Sequence, residues 1–346
     1  DGRAVLNGTA DLRDRDNANF RFSVIAAGLR FEPAADTGSA QPVPVELLEA
    51  RLGVAGNLQH WAVAGTAEVE RDGQQARLQV DGRGAGETVE LRQFRATTPG
   101  GELDVTGNIG WSPVLEWDLA ARLGNFDPGY FVPGWDGRLS GQLASDGRQL
   151  PAPAPGIASP GFEARVNVPG IKGSLRGRPL DGKGRFNLRG SHGQGEVALA
   201  VGNSRIDARG SVGDRLDINA RFEPLQLDDL LPGASGSVRG TALIKGPRSA
   251  PDIDVDLAGN GLRWNDWSAG SITLQGRLPA QGEGGALALR ARALDVGMLL
   301  DQVEADTRGS LQNLRINAQV DNEMARLALR GNLSRRGEQW QGMLDG

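Results

Sequence analysis

The sequence predicts an all-β protein, an elongated repeat of antiparallel strands with few short helices. Three observations carry this expectation. Apolar and polar residues alternate almost from end to end, short motifs recur in one order, and glycine supplies 51 of 346 residues, about 15%. Alternation at period two buries one face of a strand and leaves the other in water. A glycine share about double the usual one suits many strands joined by tight turns, and aromatics at 5% leave little to fill a helix bundle.

Taken in order, the strand signals begin at Phe20, Phe22 and Val24, continue at Leu103 and Val105, and then run through Phe162, Ala164, Val166 and Val168. Val197, Leu199 and Val201 follow, and Ile253, Val255 and Leu257 alternate with Asp252, Asp254 and Asp256. Ile272 with Leu274, Leu287 with Leu289, Ile316 with Ala318 and Val320, and Leu327 with Leu329 complete the series. At ordinary strand lengths this amounts to about 25 strands. Asp-Gly pairs at 72–73, 81–82, 136–137, 146–147 and 181–182 are read as turns. Helix is expected only as one or two turns over Asp127–Val132, Leu227–Leu231 and Asp295–Val303. Prolines at 151, 153, 155 and 160 make 150–160 a stiff linker or loop between two β-repeat segments, 1–149 and 161–346.

The internal similarity aligns without gaps. Glu102–Gly110 (ELDVTGNIG) lies over Arg205–Gly213 (RIDARGSVG), and a weaker copy keeps Leu327, Gly331 and Leu333 in register over Arg326–Ser334. Pro133–Gly141 matches Pro232–Gly240, Leu6–Leu12 matches Val238–Ile244, and Gly28–Phe31 matches Gly261–Trp264. The chain therefore reads as a solenoid-like stack whose units bury continuous apolar surface against their neighbours.

Several function classes are excluded or weakened. A formal net charge of -5 argues against nucleic acid as a partner, because phosphate recognition needs a clustered cationic excess. Only His60 and His192 are available, in strand-like contexts, too few for a histidine triad or a multi-histidine metal site. Gly82-Arg-Gly84-Ala-Gly86 has the glycines of a phosphate loop but the wrong spacing, and is expected to be a turn. Asp252, Asp254 and Asp256 start like a calcium loop, yet Leu257 replaces the glycine that such a loop needs; a strand with carboxylates along a solvated edge is expected instead. Trp111, Trp117, Trp135, Trp264 and Trp267 are read as packing at seams between repeats rather than as sugar platforms. No carboxylate pair stands out as a general acid and base, so no enzyme, metal or cofactor is expected. Zero cysteine leaves the redox compartment open, no stretch approaches a membrane span, and Asp1 reads as a cut point.

The motif order from Glu102 through Gly141 resembles the TamB family of AsmA-like envelope proteins. The residues that carry it are the Leu103-Asp104…Gly107…Ile109-Gly110-Trp111 strand, Trp117-Asp118-Leu119, Asn125-Phe126-Asp127-Pro128 and Pro133-Gly134-Trp135-Asp136-Gly137. The second half is similar to the same family at Gly173–Gly182, Leu216–Gly240, Gly246-Pro247 and Pro251–Val255. The resemblance implies a long sheet curled into a trough with an apolar interior, a β-taco, in the periplasm of a Gram-negative bacterium. It further implies an N-terminal inner-membrane anchor absent from this chain, phospholipid transport between the membranes, and assembly of outer-membrane and autotransporter proteins with a BamA-like outer-membrane barrel subunit as partner.

On that reading Phe162, Val166, Val197, Leu199, Ile253, Val255, Ile272, Leu274, Leu287, Leu289, Ile316 and Leu327 line the trough and meet phospholipid acyl chains. Each buried methylene is worth about 0.8 kcal/mol. Alternation alone favours a filled β-sandwich for the same residues. The other functional reading is a scaffold whose strand edges bind outer-membrane β-barrel clients.

Overall fold

The computed structural model describes residues 2–11, 13, 18–31, 44–130, 134–152, 154, 161–231, 233–282, 284–322, 325–336 and 339–345. The chain forms two compact units, Asp1–Gly177 and Arg178–Gly346. Unit 1 carries β1 (Arg3–Asp11), β2 (Asn19–Phe31), β3 (Val45–Asn57), β4 (Trp61–Arg71), β5 (Gln74–Ala85), β6 (Thr88–Thr98), β7 (Gly101–Gly110), β8 (Glu116–Phe126), β9 (Gly137–Gln149) and β10 (Phe162–Leu175). Unit 2 carries β11 (Arg178–Arg189), β12 (His192–Val201), β13 (Ser204–Val212), β14 (Arg215–Gln226), β15 (Ser235–Pro247), β16 (Asp252–Trp264), β17 (Trp267–Leu278), β18 (Gly285–Asp295), β19 (Leu299–Gly309), β20 (Asn313–Asp321), β21 (Arg326–Arg336) and β22 (Gln339–Asp345). Within each unit every strand pairs antiparallel with the next, giving two open meanders. The all-β antiparallel class is as the alternation predicts.

The repeat copies fall on whole strands of the meanders. The Glu102 and Arg205 copies are β7 and β13, six strands apart, and each is followed one strand later by a short helical turn. These turns are Pro128–Tyr130, a single 3-10 turn, and α1 (Leu227–Leu230). Both fall where helix is expected; 131–133 lie outside the described residues. In unit 1 Asp127 Oδ1 accepts the N–H groups of Gly129 and Gly137 at 2.9 and 2.8 Å, which fastens the turn to the start of β9. In unit 2 the fully buried Asp229 does the corresponding work. It is ion-paired with Arg178 and accepts from Ser204 Oγ at 2.6 Å and from the Asn203 N–H at 3.2 Å, so α1 is clasped to the β12–β13 turn.

Several sequence readings are corrected. Asp295–Val303 is not helical: Gly297 at φ 91 makes a hairpin turn, Asp295 Oδ1 accepts its N–H at 3.0 Å, and Leu299–Gly309 is β19. Pairing of Val303 with Ala291 on one side and Val320 on the other overrides the local helical spacing. The Asp-Gly pairs at 81–82, 146–147 and 181–182 lie inside β5, β9 and β11 rather than at turns. There the pair obeys strand alternation, with aspartate on the polar face and glycine opposite a bulky neighbour on the apolar one; Gly82 faces Val63, Gly147 faces Trp117 and Gly182 faces Leu199. Gly84 of the supposed phosphate-loop turn is likewise in β5, opposite Trp61. His60 lies in the β3–β4 turn, exposed, not in a strand. The proline-rich segment joins β9 to β10 within unit 1, and 153 and 155–160 lie outside the described residues.

Candidate functional site: an apolar sheet face

Residues directly opposite one another in an antiparallel pair project to the same face, so the register assigns every side chain a side. In unit 2 one such row runs from Leu199 through Ile206, Phe222, Gly240, Leu257, Leu274, Leu289, Ala305 and Ala318 to Leu329. No member is charged. In unit 1 the corresponding row is Gly8, Phe22, Val54, Val63, Gly82, Leu91, Gly107, Leu119, Ser145 and Val166. Nine strand steps at about 4.8 Å make each row about 43 Å long, measured along the sheet.

The twelve residues expected to line an apolar interior can now be placed. Phe162 and Val166 are on the apolar face of unit 1, paired with Gln149 and Ser145. Val197, Leu199, Ile253, Val255, Ile272, Leu274, Leu287, Leu289, Ile316 and Leu327 all fall on the single apolar face of unit 2, connected by direct pairs such as Val255 to Gly276, Gly276 to Leu287, Leu287 to Thr307 and Thr307 to Ile316. Val255 is buried and nine others are half-buried, while Phe162 and Leu327 are 46% and 47% exposed.

That exposure separates an open face from a filled sandwich. Two compact globules of about 18 kDa would together expose about 16,000 Å². The chain exposes 21907 Å², and among the described residues the buried hydrophobic side chains are fourteen, seven of them alanine. A packed core buries its large aliphatic residues nearly completely, which this face does not.

Two glycines mark where neighbouring strands approach most closely. Gly107 and Gly210, at the same place in the two repeat copies, have φ of 140° and 155°. A Cβ on either would stand 2.0 Å from a carbonyl oxygen of the next strand, Asp118 or Asp217. Both glycines stand on the apolar side of the register, where the neighbouring backbone comes too close for any side chain. Aromatic rings fill the spaces other glycines leave: Trp61 covers Gly84 and Trp117 covers Gly147. Trp117 also stacks edge-on with Phe162 at 5.8 Å and donates its Nε1–H to Ser145 Oγ at 2.9 Å. Trp111 packs its ring against Trp61 at 6.1 Å while remaining 46% exposed, whereas for Trp264, 48% exposed at the β16–β17 hairpin, the expectation of packing at a repeat seam is corrected.

The opposite face is a lattice of charges. Arg95 Nε donates to Asp104 Oδ1 at 2.6 Å and Arg165 Nε to Asp146 Oδ2 at 2.8 Å, and these carboxylates hold both guanidiniums above their ordinary pKa. Arg290 spans Glu304 and Asp306, Arg77 meets Glu68, and Arg185 meets Glu196. Exposed pairs of this kind each contribute at most about 1 kcal/mol, so their main effect is to keep this face in water. Asp252, Asp254 and Asp256 belong to the same face, but on β16, which is hydrogen-bonded on both sides; they are not on a sheet edge. Asp252 Oδ1 accepts the Ala280 N–H at 2.7 Å and Asp256 accepts Gln275 Nε2 at 2.8 Å. His192 Nε2 lies 3.5 Å from Asp214. Among the described residues no group of three His, Asp or Glu side chains is placed to hold a metal ion, and no helix is long and apolar enough to cross a membrane.

A protein-family model described as "TamB, N-terminal domain" matches residues 28–346. The chain is similar to the translocation and assembly module subunit TamB of Haemophilus influenzae (strain ATCC 51907 / DSM 11121 / KW20 / Rd), 26% identical over 251 residues, which is 70% of this chain. It spans 19% of the length of that curated relative. No solved structure matches the chain.

Proposed function

Because the chain belongs to the TamB family, we propose that it is a non-catalytic segment of a periplasmic conduit whose apolar face carries phospholipid acyl chains between the inner and outer membranes. The observation that carries this reading is the uncharged row from Leu199 to Leu329, half-open to its surroundings along ten consecutive strands. Such a face offers an acyl chain an environment like lipid while the charged face stays in water. On this reading the partner at the outer membrane is a BamA-like barrel subunit.

The test places a photoreactive amino acid at Leu199, Leu274 or Ile316 and, for comparison, at Arg209, Gln275 or Arg330 on the polar face. Lipid adducts at the first three and not at the others are expected; adducts on neither face, or equally on both, refute the reading. Leu199→Asp, checked for normal strand content and expression, should stop lipid passage. The relative's name as a translocation and assembly module subunit favours a second reading, a scaffold for outer-membrane β-strands, and protein adducts without lipid adducts would select it.

A further inference from the structure

On the polar face arginines are otherwise matched across strands with carboxylates or uncharged neighbours, but Arg308 of β19 stands directly opposite Arg315 of β20. Like charges directly opposite are destabilising, and among the described residues no carboxylate relieves them. Neither guanidinium has a carboxylate or hydrogen-bond partner among the described residues, both are exposed, and the nearest acid along β19, Asp306, is engaged by Arg290. The residues flanking the pair in register are Ala286 and Asn332, both neutral.

The pair also lines a groove of about 980 Å³, at the upper end of the ~300–1,000 Å³ range of small-molecule sites. All of its strand residues come from one end of β18–β22, so it sits on a rim of unit 2. It takes in both faces of the sheet. Arg308, Arg315 and Asn332 belong to the polar side, whereas Gly309, Leu314 and Leu333 form one paired row of the apolar side. A groove with two cations unpaired among the described residues on one flank and leucines on the other is complementary to an anionic amphiphile.

We propose that this rim groove is a headgroup site for anionic phospholipid, with Arg308 and Arg315 holding the phosphate while the acyl chains lie over Leu314 and Leu333 on the apolar face. Planar guanidiniums bind phosphate oxygens through paired N–H donors. The repulsion between them in the empty site is then relieved by the ligand's charge. The inference deepens the conduit reading and rests on it.

The test incubates the chain with vesicles of equal parts phosphatidylcholine and phosphatidylglycerol, recovers it, and measures bound lipids by mass spectrometry. Wild type should be enriched in phosphatidylglycerol, and Arg308→Gln with Arg315→Gln should lower the anionic-to-zwitterionic ratio about fivefold to tenfold. Arg209→Gln, elsewhere on the polar face, should leave the ratio unchanged. The double variant should melt no lower than wild type, since it removes a like-charge pair; a lower melting temperature makes the pair structural and overturns the proposal. Lipid uptake with an unchanged ratio overturns it while leaving the conduit reading standing, and no uptake by wild type overturns both. Inorganic phosphate binding that the double variant loses, with the lipid ratio unchanged, assigns a free-phosphate site and also overturns it.

Discussion

Gly107→Ala tests the close approach of β7 and β8 at one atom. Gly107 has φ of 140°, and a Cβ there would lie 2.0 Å from the Asp118 carbonyl oxygen and 2.9 Å from Leu119 Cα. Both obstacles are backbone of the hydrogen-bonded neighbour, so no side chain can swing away. Holding an L residue in that conformation costs about 1–3 kcal/mol, and forcing the overlap apart adds about 1–3 kcal/mol. Together they predict about 2–6 kcal/mol lost. Gly73→Ala is the matched control. It has φ of 72° in the β4–β5 turn with nothing within 4 Å of the added Cβ, so it carries only a conformational cost of about 1–2 kcal/mol. Urea unfolding followed by circular dichroism gives both values, provided the slope with denaturant is unchanged. Stability in a strand array is close to a sum of neighbour terms, so the loss should also appear as faster amide exchange in β7 and β8. If the two alanines destabilise equally, within about 0.5 kcal/mol, the close approach on the apolar side is wrong.

Two further outcomes are expected. Asp229→Asn should destabilise unit 2 by about 2–3 kcal/mol in the same assay, because it removes the buried charge that Arg178 and Ser204 satisfy. Asp228→Asn, at an exposed partner of the same arginine, should cost less than about 1 kcal/mol. Burial pushes the Tyr130 hydroxyl above its ordinary pKa of 10.0, against a smaller opposing pull from Arg71. The unfolded chain then releases this proton first, so stability is complete below about pH 10 and falls as pH rises through the folded-state value. A pH series of melting temperatures in which Tyr130→Phe shows the same alkaline loss would remove Tyr130 as the cause.

The fold class and both short helical turns near Asp127 and Leu227 were legible in the sequence, because period-two alternation and glycine-punctuated repeats are local properties. So was the common phase of the ten unit 2 residues: alternation keeps its face through each strand, and tight hairpins hand it on. Local pattern misled where a residue type has two physical uses. Asp81-Gly82 and Asp181-Gly182 have turn chemistry, yet inside a strand they are one solvated carboxylate and one space opposite Val63 or Leu199. Asp295–Val303 has helical spacing, yet the pairing of its second half with β18 and β20 decided it. What only the tertiary structure decided is long-range. Whether the apolar face is filled or open depends on what covers it, and the partial exposure along the face, reaching 46% and 47% at Phe162 and Leu327, favours an open one where alternation favoured a closed sandwich. The Arg308–Arg315 opposition and the clasp of Asp229 by Arg178 join residues separated along the chain, and strand register creates them. A sequence determines which side chains share a face; the pairing of strands determines which of them meet.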